Sequence, residues 1–357
     1  MLEIPVWSII LYDFTGSPVL DISNFVELNL ILKLNTTSTL SFSLDLIQFE
    51  KLCKNVGLLP RNVMYPLQTE IKIYRNNVAL FGGIISNVIS SLQEDSAVIS
   101  VTADSYIHYF SKRLINKNYV NIERSAIAWD AIETAQAVPY GDLGVTQGVL
   151  ATTYNSDCTS DYNDVKSIIQ RYTYAQPVTY DYEITPDKVF NTFNRLGSNK
   201  PEIRLVYPDN VESIEIPRSG DTTYNKVIGI GSGIGDERLQ VIMQHIPSSI
   251  NNRLYETKKL YNSVSEIETL NQNTLGYLQE SVNPLVIPKM HTNGTFLNIS
   301  EVFVGDSITV KVIDSEYNSD VDLLLRIYEL DISVDKNIKE KIAVNFYKPD
   351  SGGELET

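Results

Sequence analysis

Between Phe25 and Leu46 the chain alternates apolar and polar residues twice over. Val26, Leu28, Leu30, Leu32 and Leu34 are interleaved with Glu27, Asn29 and Lys33, and Leu40, Phe42, Leu44 and Leu46 with Thr39, Ser41, Ser43 and Asp45. A period of two places every apolar side chain on one face of a pleated strand. The polar Asn35-Thr36-Thr37-Ser38 connects the runs, so they read as an antiparallel hairpin with one buried face. A helical turn or two is expected from Ile47 to Val56. Alternation resumes at Ile71 and Ile73, turns at Asn76-Asn77, and continues through Leu80 to Ile85 and Ala97 to Ala103. The Gly82-Gly83 pair suggests a bulge or bend of the kind that curls a sheet.

The middle of the chain changes character. A helix is expected over Ala126 to Val138, after Ser125 and stopped by Pro139, and Val165, Ile168, Ile169 and Tyr172 follow helical spacing. Thr185-Pro186 reads as a further helix start, with Val189, Phe190 and Phe193 on one face and Gly197 at its end. Strands return from Ile203 to Ile216 and from Lys226 to Ile230. Ser263 to Glu266 has the capping-box pattern, and Val264, Ile267, Leu275 and Leu278 fit one face of a helix ending near Ser281. The final strands are read at Ile308 to Val312, over Leu324 to Val334 as one long strand, and at Ile342 to Phe346.

The fold class expected is therefore β-rich (α+β). Residues 1–115 form a first β domain, 116–225 a mixed α/β insert, 226–348 a second β domain with an inserted helix near 264–281, and 349–357 a flexible tail. Two β domains flanking an insert also fit a remote duplication.

Composition excludes several functions. At 357 residues, with 43% hydrophobic and 20% charged residues, the chain can bury substantial cores. Its net charge of −15 opposes adsorption to nucleic acid or an anionic membrane. No run approaches the ~18 apolar residues of a membrane span, and the start lacks the basic segment of a secretory signal. Cys53 and Cys158 are expected to be free thiols.

No catalytic, cofactor-binding or metal-binding residue emerges. Gly229-Ile230-Gly231-Ser232-Gly233-Ile234-Gly235 misses dinucleotide spacing, because the third glycine falls on Ile234 or Asp236, and it lacks a P-loop ending. A glycine-rich strand end and turn is the preferred reading. His108, His245 and His291 have no ligand partner at i+3 or i+4. Asp157, Asp161 and Asp164 lack calcium-loop spacing and read as a loop before a helix capped by Asn163 or Asp164. Asp320 and Asp322 are a pair expected by chance among 44 acids. Tyr172, Tyr174, Tyr180 and Tyr182 suit either a contact surface or β-strand packing.

The order of these features resembles the tail-hub family of phages and related injection machines: siphophage tail-tip hubs, the N-terminal domain of tail-associated lysins and the contractile-tail baseplate hub. The stretches that carry the resemblance are Ser38-Thr39-Leu40-Ser41-Phe42-Ser43-Leu44, Ile71-Lys72-Ile73-Tyr74 leading to Leu80-Phe81-Gly82-Gly83-Ile84-Ile85, Ala97 to Ala103, Tyr224 to Gly231 and Val304 to Val310. It implies two tube-type antiparallel β-barrel domains with the helix-containing insert between them. It implies a homotrimer whose six domains make a pseudo-sixfold ring. The ring joins the sixfold tail-tube or distal tail ring protein to a threefold central spike, fibre or tape-measure protein. DNA meets it only in transit through the channel; three chains would carry about −45 in total, and an acidic lumen would let DNA pass without adsorbing. The expected location is the virion tail, assembled in the host bacterial cytoplasm, without membrane insertion. Members of that family often carry a lytic domain after the hub, and none is expected here after the last strand; with no catalytic constellation in the residues, no enzyme and no cofactor are expected. A receptor- or carbohydrate-binding tail protein and a cell-wall hydrolase are the alternatives.

Overall fold

The computed structural model describes residues 5–93, 96–151, 154–173, 178–215, 223–233, 235, 238–247, 253–261, 264–282, 289–313 and 321–346. The expectations for Ser263, Tyr174, Asp320 and residues 349–357 lie outside them. By its contacts the chain divides into two compact units, Met1–Ile214 with Lys289–Thr357, and Glu215–Pro288. This grouping differs from the division expected at residues 115 and 225.

The larger unit opens with β1 (Trp7–Tyr12), β2 (Pro18–Ile22), β3 (Glu27–Lys33) and β4 (Thr39–Asp45). The expected hairpin is present, with Leu30 opposite Leu40 and Leu28 opposite Phe42. Asp45 then caps α1 (Leu46–Asn55) by accepting from the Gln48 N–H, and a short α2 (Pro60–Val63) follows. Next come β5 (Glu70–Arg75), the long β6 (Val78–Gln93) and β7 (Ser96–Ser105). Asn76 and Asn77 both adopt positive φ at the β5–β6 turn, as an Asn-Asn hairpin turn requires. Ladder irregularities flank Gly82-Gly83, at Ile73/Tyr74 and Ile85/Asn87.

A 3-10 turn (Tyr106–Lys112) leads into β8 (Leu114–Glu123), α3 (Arg124–Gln136), β9 (Thr146–Leu150), β10 (Asn155–Asp164) and α4 (Val165–Arg171). The first helix begins at Arg124 and is capped by Glu123, whose carboxylate accepts from the Ser125 and Ala126 N–H groups. The second is capped by Asp164, one of the two residues expected. Ile127, Ile132, Ile168, Ile169, Phe110 and Phe190 meet in one fully buried cluster. Replacing Asp164 with alanine is expected to cost ~1 kcal/mol, read by urea denaturation.

The helix expected after Pro186 is instead a hairpin of β11 (Asp181–Ile184) and β12 (Val189–Phe193). Val189-Phe190-Asn191-Thr192-Phe193 is β-branched and aromatic and alternates in burial. Lys188 turns the chain with positive φ, and its ammonium is held by Glu70 and the Leu143 carbonyl.

After β13 (Asn199–Tyr207) and β14 (Ser213–Glu215), the smaller unit contains β15 (Lys226–Ile230), β16 (Gln240–Gln244) and β17 (Glu256–Leu260), in order β16-β15-β17. The Ile267–Ser281 helix packs on β15 and β16. Its buried stripe is Leu270, Thr274 and Leu278, while the expected Ile267 and Leu275 are exposed. Glu266 stands at the N-cap without a side-chain bond.

The chain returns to the larger unit as β18 (Lys289–Asn293), β19 (Ser307–Val312), β20 (Val321–Arg326), β21 (Glu329–Asp335) and β22 (Glu340–Asn345). The single strand expected over 324–334 is two strands in different sheets. Ile327 bonds to Gly305 and Asp306 in both directions, which fixes the crossover. Because β21 pairs with β3, first and last strands join one eleven-stranded sheet, β14-β18-β22-β21-β3-β4-β7-β6-β5-β1-β2. The architecture is strand-rich with large antiparallel sheets, and no closed barrel is detected among the described residues. The sheet nevertheless curls, since Trp7 and Arg75 reach Glu340 across its core side.

Candidate functional site

The central strands give the large sheet two contrasting faces. Leu28, Leu30, Leu40, Phe42, Val101, Ala103, Leu330 and Ile332 fill the core face at no more than 2% exposure. Register decides what the opposite face carries. One row runs Lys341, Ser333, Asn29, Ser41, Thr102, Asn87, and the next Ala343, Asp331, Ile31, Thr39, Asp104, Ile84. Asp335, Glu27, Ser43 and Ser100 continue the pattern, with the Ser43 hydroxyl donating to Glu27.

Strands β3, β4, β7 and β21 together hold six carboxylates, Glu27, Asp45, Asp104, Glu329, Asp331 and Asp335, all on this face. Their one cation, Lys33, lies 3.3 Å from Glu329. The result is a surface of short hydroxyls, amides and acids. Such a wall repels a polyanion and offers little phosphate pairing.

Asp331 sits half-buried within it. Burial raises its pKa and Glu329 pushes the same way, against Lys289, a side-chain hydrogen bond from Asn29, and His291. Its Oδ1 and the Oδ1 of Asn29 are buried with no hydrogen-bond partner. A carboxyl raised in the folded state loses stabilisation as pH climbs through its titration. Asp331→Asn is therefore expected to stabilise the protein at pH 7, with the gain fading as pH falls through the raised titration and gone below about pH 4. Thermal unfolding at both pH values checks this.

Polar ties hold the surrounding elements. Lys188 bonds Glu70, which accepts from the Tyr106 hydroxyl; burial and that carboxylate raise the Tyr106 pKa far above its usual range. Asp181 accepts from Asn35, Arg326 and the Leu196 N–H. Asp306 accepts from Lys200, Ser198 and Phe303; burial opposes its ionisation but those bonds outweigh it, and its pKa is lowered. A cavity of about 370 Å³ lies among these ties, lined by Leu34, Leu80, Ile184, Pro186, Leu196 and Phe303 with Glu183 and Asp306. No histidine or cysteine lines it.

The residues weighed from sequence remain apart. Both cysteines are buried free thiols. His108 lies 3.9 Å from Asp104, whereas His291 is on β18 and His245 follows β16. Asp157 accepts from the Asn121 N–H and Asp164 caps α4. No group of three metal-binding side chains occurs among the described residues, nor a helix long and apolar enough to cross a membrane. Gly229 has a packing role: a Cβ there would stand 1.9 Å from the Thr274 hydroxyl, so its absence lets the helix approach β15. Ile234 and Asp236 lie outside the described residues. Tyr172, Tyr180 and Tyr182 are at most 3% exposed, so these three pack the core and form no contact surface.

The polar face itself escaped sequence reading. Its signal was the serine- and acid-rich half of each alternation, which acquires meaning only when strands are set side by side.

Neither family models nor curated proteins give a match. Solved structures do. The chain superposes on the 43 kDa tail protein of prophage MuSo2 from Shewanella oneidensis with TM-score 0.69 and 14% identity, over 97% of this chain and 99% of that one. A tail protein from Neisseria meningitidis gives 0.66 and 10%, over 97% and 98%. Prophage tail protein gp18 from Listeria monocytogenes gives 0.60 and 10%, over 96% and 95%. The chain thus has the fold of phage tail proteins, the group its sequence features resemble.

Proposed function

We propose that this chain is a non-enzymatic structural hub of a phage tail tip or baseplate. Three copies form a pseudo-sixfold ring, the strands of 1–115 and of 226–348 serving as its tube-type repeats and 116–225 as its peripheral insert. The ring joins a sixfold tail-tube or distal tail ring protein to a threefold spike, fibre or tape-measure protein, in the virion tail. The observation that carries the reading is the acidic, hydroxyl-bearing face of the large sheet on a tail-protein fold. Turned toward a channel, that face lets DNA pass because its acids outnumber its cations and Lys33 lies against Glu329.

Cryo-microscopy of the particle tests this: three chains in one ring at the end of the tube are expected. Six or twelve chains, or a place on a peripheral fibre, would defeat it. Changing Glu27, Asp331 and Asp335 together to lysine is expected to create salt-dependent DNA retention absent from the parent, measured by filter binding across salt.

A further inference from the structure

Three charged side chains line the cavity of about 370 Å³ in the larger unit: Lys33, Glu183 and Asp306. Two of them are already neutralised, since Lys33 lies 3.3 Å from Glu329 and Asp306 lies 2.8 Å from Lys200. Glu183 is the exception. It accepts from Asn191 Nδ2 at 3.1 Å, and among the described residues no cation stands within ion-pair reach of it.

Alternation along β11 sets where this carboxyl points. Tyr182 and Ile184 pack with the buried cluster on one side of the strand, so Asp181 and Glu183 share the other. On that side Asp181 accepts from Asn35 and from the Leu196 N–H, and both residues line the cavity. Asn191 stands directly opposite Glu183 in the β11–β12 register and fixes its position: Asn191 Oδ1 accepts from the Val149 N–H at 2.8 Å, which leaves Nδ2 for the carboxylate. Much of the remaining wall is apolar, with Leu34, Leu80, Pro186 and Leu196, and Phe303 at its solvent side is 40% exposed. Burial raises the Glu183 pKa against the Asn191 hydrogen bond. The ionised carboxylate thus carries a desolvation cost that an arriving cation offsets.

We propose that this cavity binds a small organic cation, a primary ammonium on an apolar body, with the ammonium on Glu183 and the body against Leu34, Leu80 and Phe303. Its volume falls within the range of small-molecule sites, roughly 300–1,000 Å³. A hard metal ion needs about six oxygen ligands, which one carboxylate in an apolar wall does not supply. An anion meets the uncompensated charge of Glu183. A lysine of a partner protein brings only a four-carbon stem, which covers less of the apolar wall than a free amine with a ring.

Phenethylammonium is the probe, and phenethyl alcohol its neutral counterpart of the same shape. In methyl NMR of the full chain, phenethylammonium is expected to shift the Leu34, Leu80 and Leu196 methyls saturably, and the alcohol to bind about tenfold more weakly or less. Glu183→Gln keeps an acceptor for Asn191. It should weaken the ammonium about tenfold or more, leave the alcohol unchanged and unfold cooperatively. No saturable shift, shifts spread away from the cavity, equal affinity for amine and alcohol, or a Glu183→Gln variant that binds the amine as the parent does would each overturn the proposal. So would tighter binding of Nα-acetyl-lysine methylamide than of phenethylammonium, which assigns the cavity to a partner's lysine. None of these readouts depends on ring formation, so the hub reading stands or falls separately.

Discussion

Arg75→Met is expected to cost about 3–5 kcal/mol in urea denaturation, because it strands a buried carboxylate. The Arg75 and Glu340 side chains are 7% and 4% exposed, and Arg75 Nε donates to Glu340 at 2.7 Å and Nη2 at 3.1 Å. Trp7 Nε1 donates to the same carboxylate at 2.8 Å, and Arg75 also donates to Ser300. Five strands separate β5 from β22 along the ladder, so this tie closes the curl of the sheet. The double variant Arg75→Met with Glu340→Gln removes both charges and keeps an acceptor for Trp7. It is expected to be more stable than Arg75→Met alone. A cost under ~1 kcal/mol for the single variant would place the pair among solvent-screened surface bridges.

Gly197→Ala is expected to destabilise by about 2–5 kcal/mol, combining left-handed backbone strain with overpacking. Gly197 has φ +84°, and a Cβ there would stand 2.2 Å from the Gly305 carbonyl carbon and 2.4 Å from the Asp306 nitrogen. Both obstacles are backbone, so no side chain can turn aside. Gly16 separates the two contributions: its φ is +81°, but a Cβ would meet nothing within 4 Å. Gly16→Ala should therefore lose only about 1 kcal/mol. Equal losses at the two positions would show that the backbone approach at Gly197 contributes nothing.

Where an element's own residues set its period, the sequence announced it. The 25–46 hairpin, β5, β15 and α4 appear where alternation or helical spacing puts them. Reading failed where a local signal was outvoted by distant partners. Thr185-Pro186 resembles a helix start, but Lys188 is drawn to Glu70 and Leu143 and the following residues pair with β11. The run from Leu324 to Val334 is apolar throughout enough of its length to suggest one strand, and Ile327 is held instead by Gly305 and Asp306. Stripe position on the Ile267–Ser281 helix followed the same logic, because Gly229 selects Thr274 as its contact.

By itself the sequence determined the 25–46 hairpin, the alternation of β5 and β15, the helical spacing of α4 and the acidic charge, since each depends on residues close in the chain. Tertiary structure alone decided that β21 joins β3 and that the serine and acid positions of separate strands form one continuous face. Those outcomes depend on register and strand order across hundreds of residues. Period-two alternation specifies which side chains share a strand's face; it is silent on which strand lies alongside.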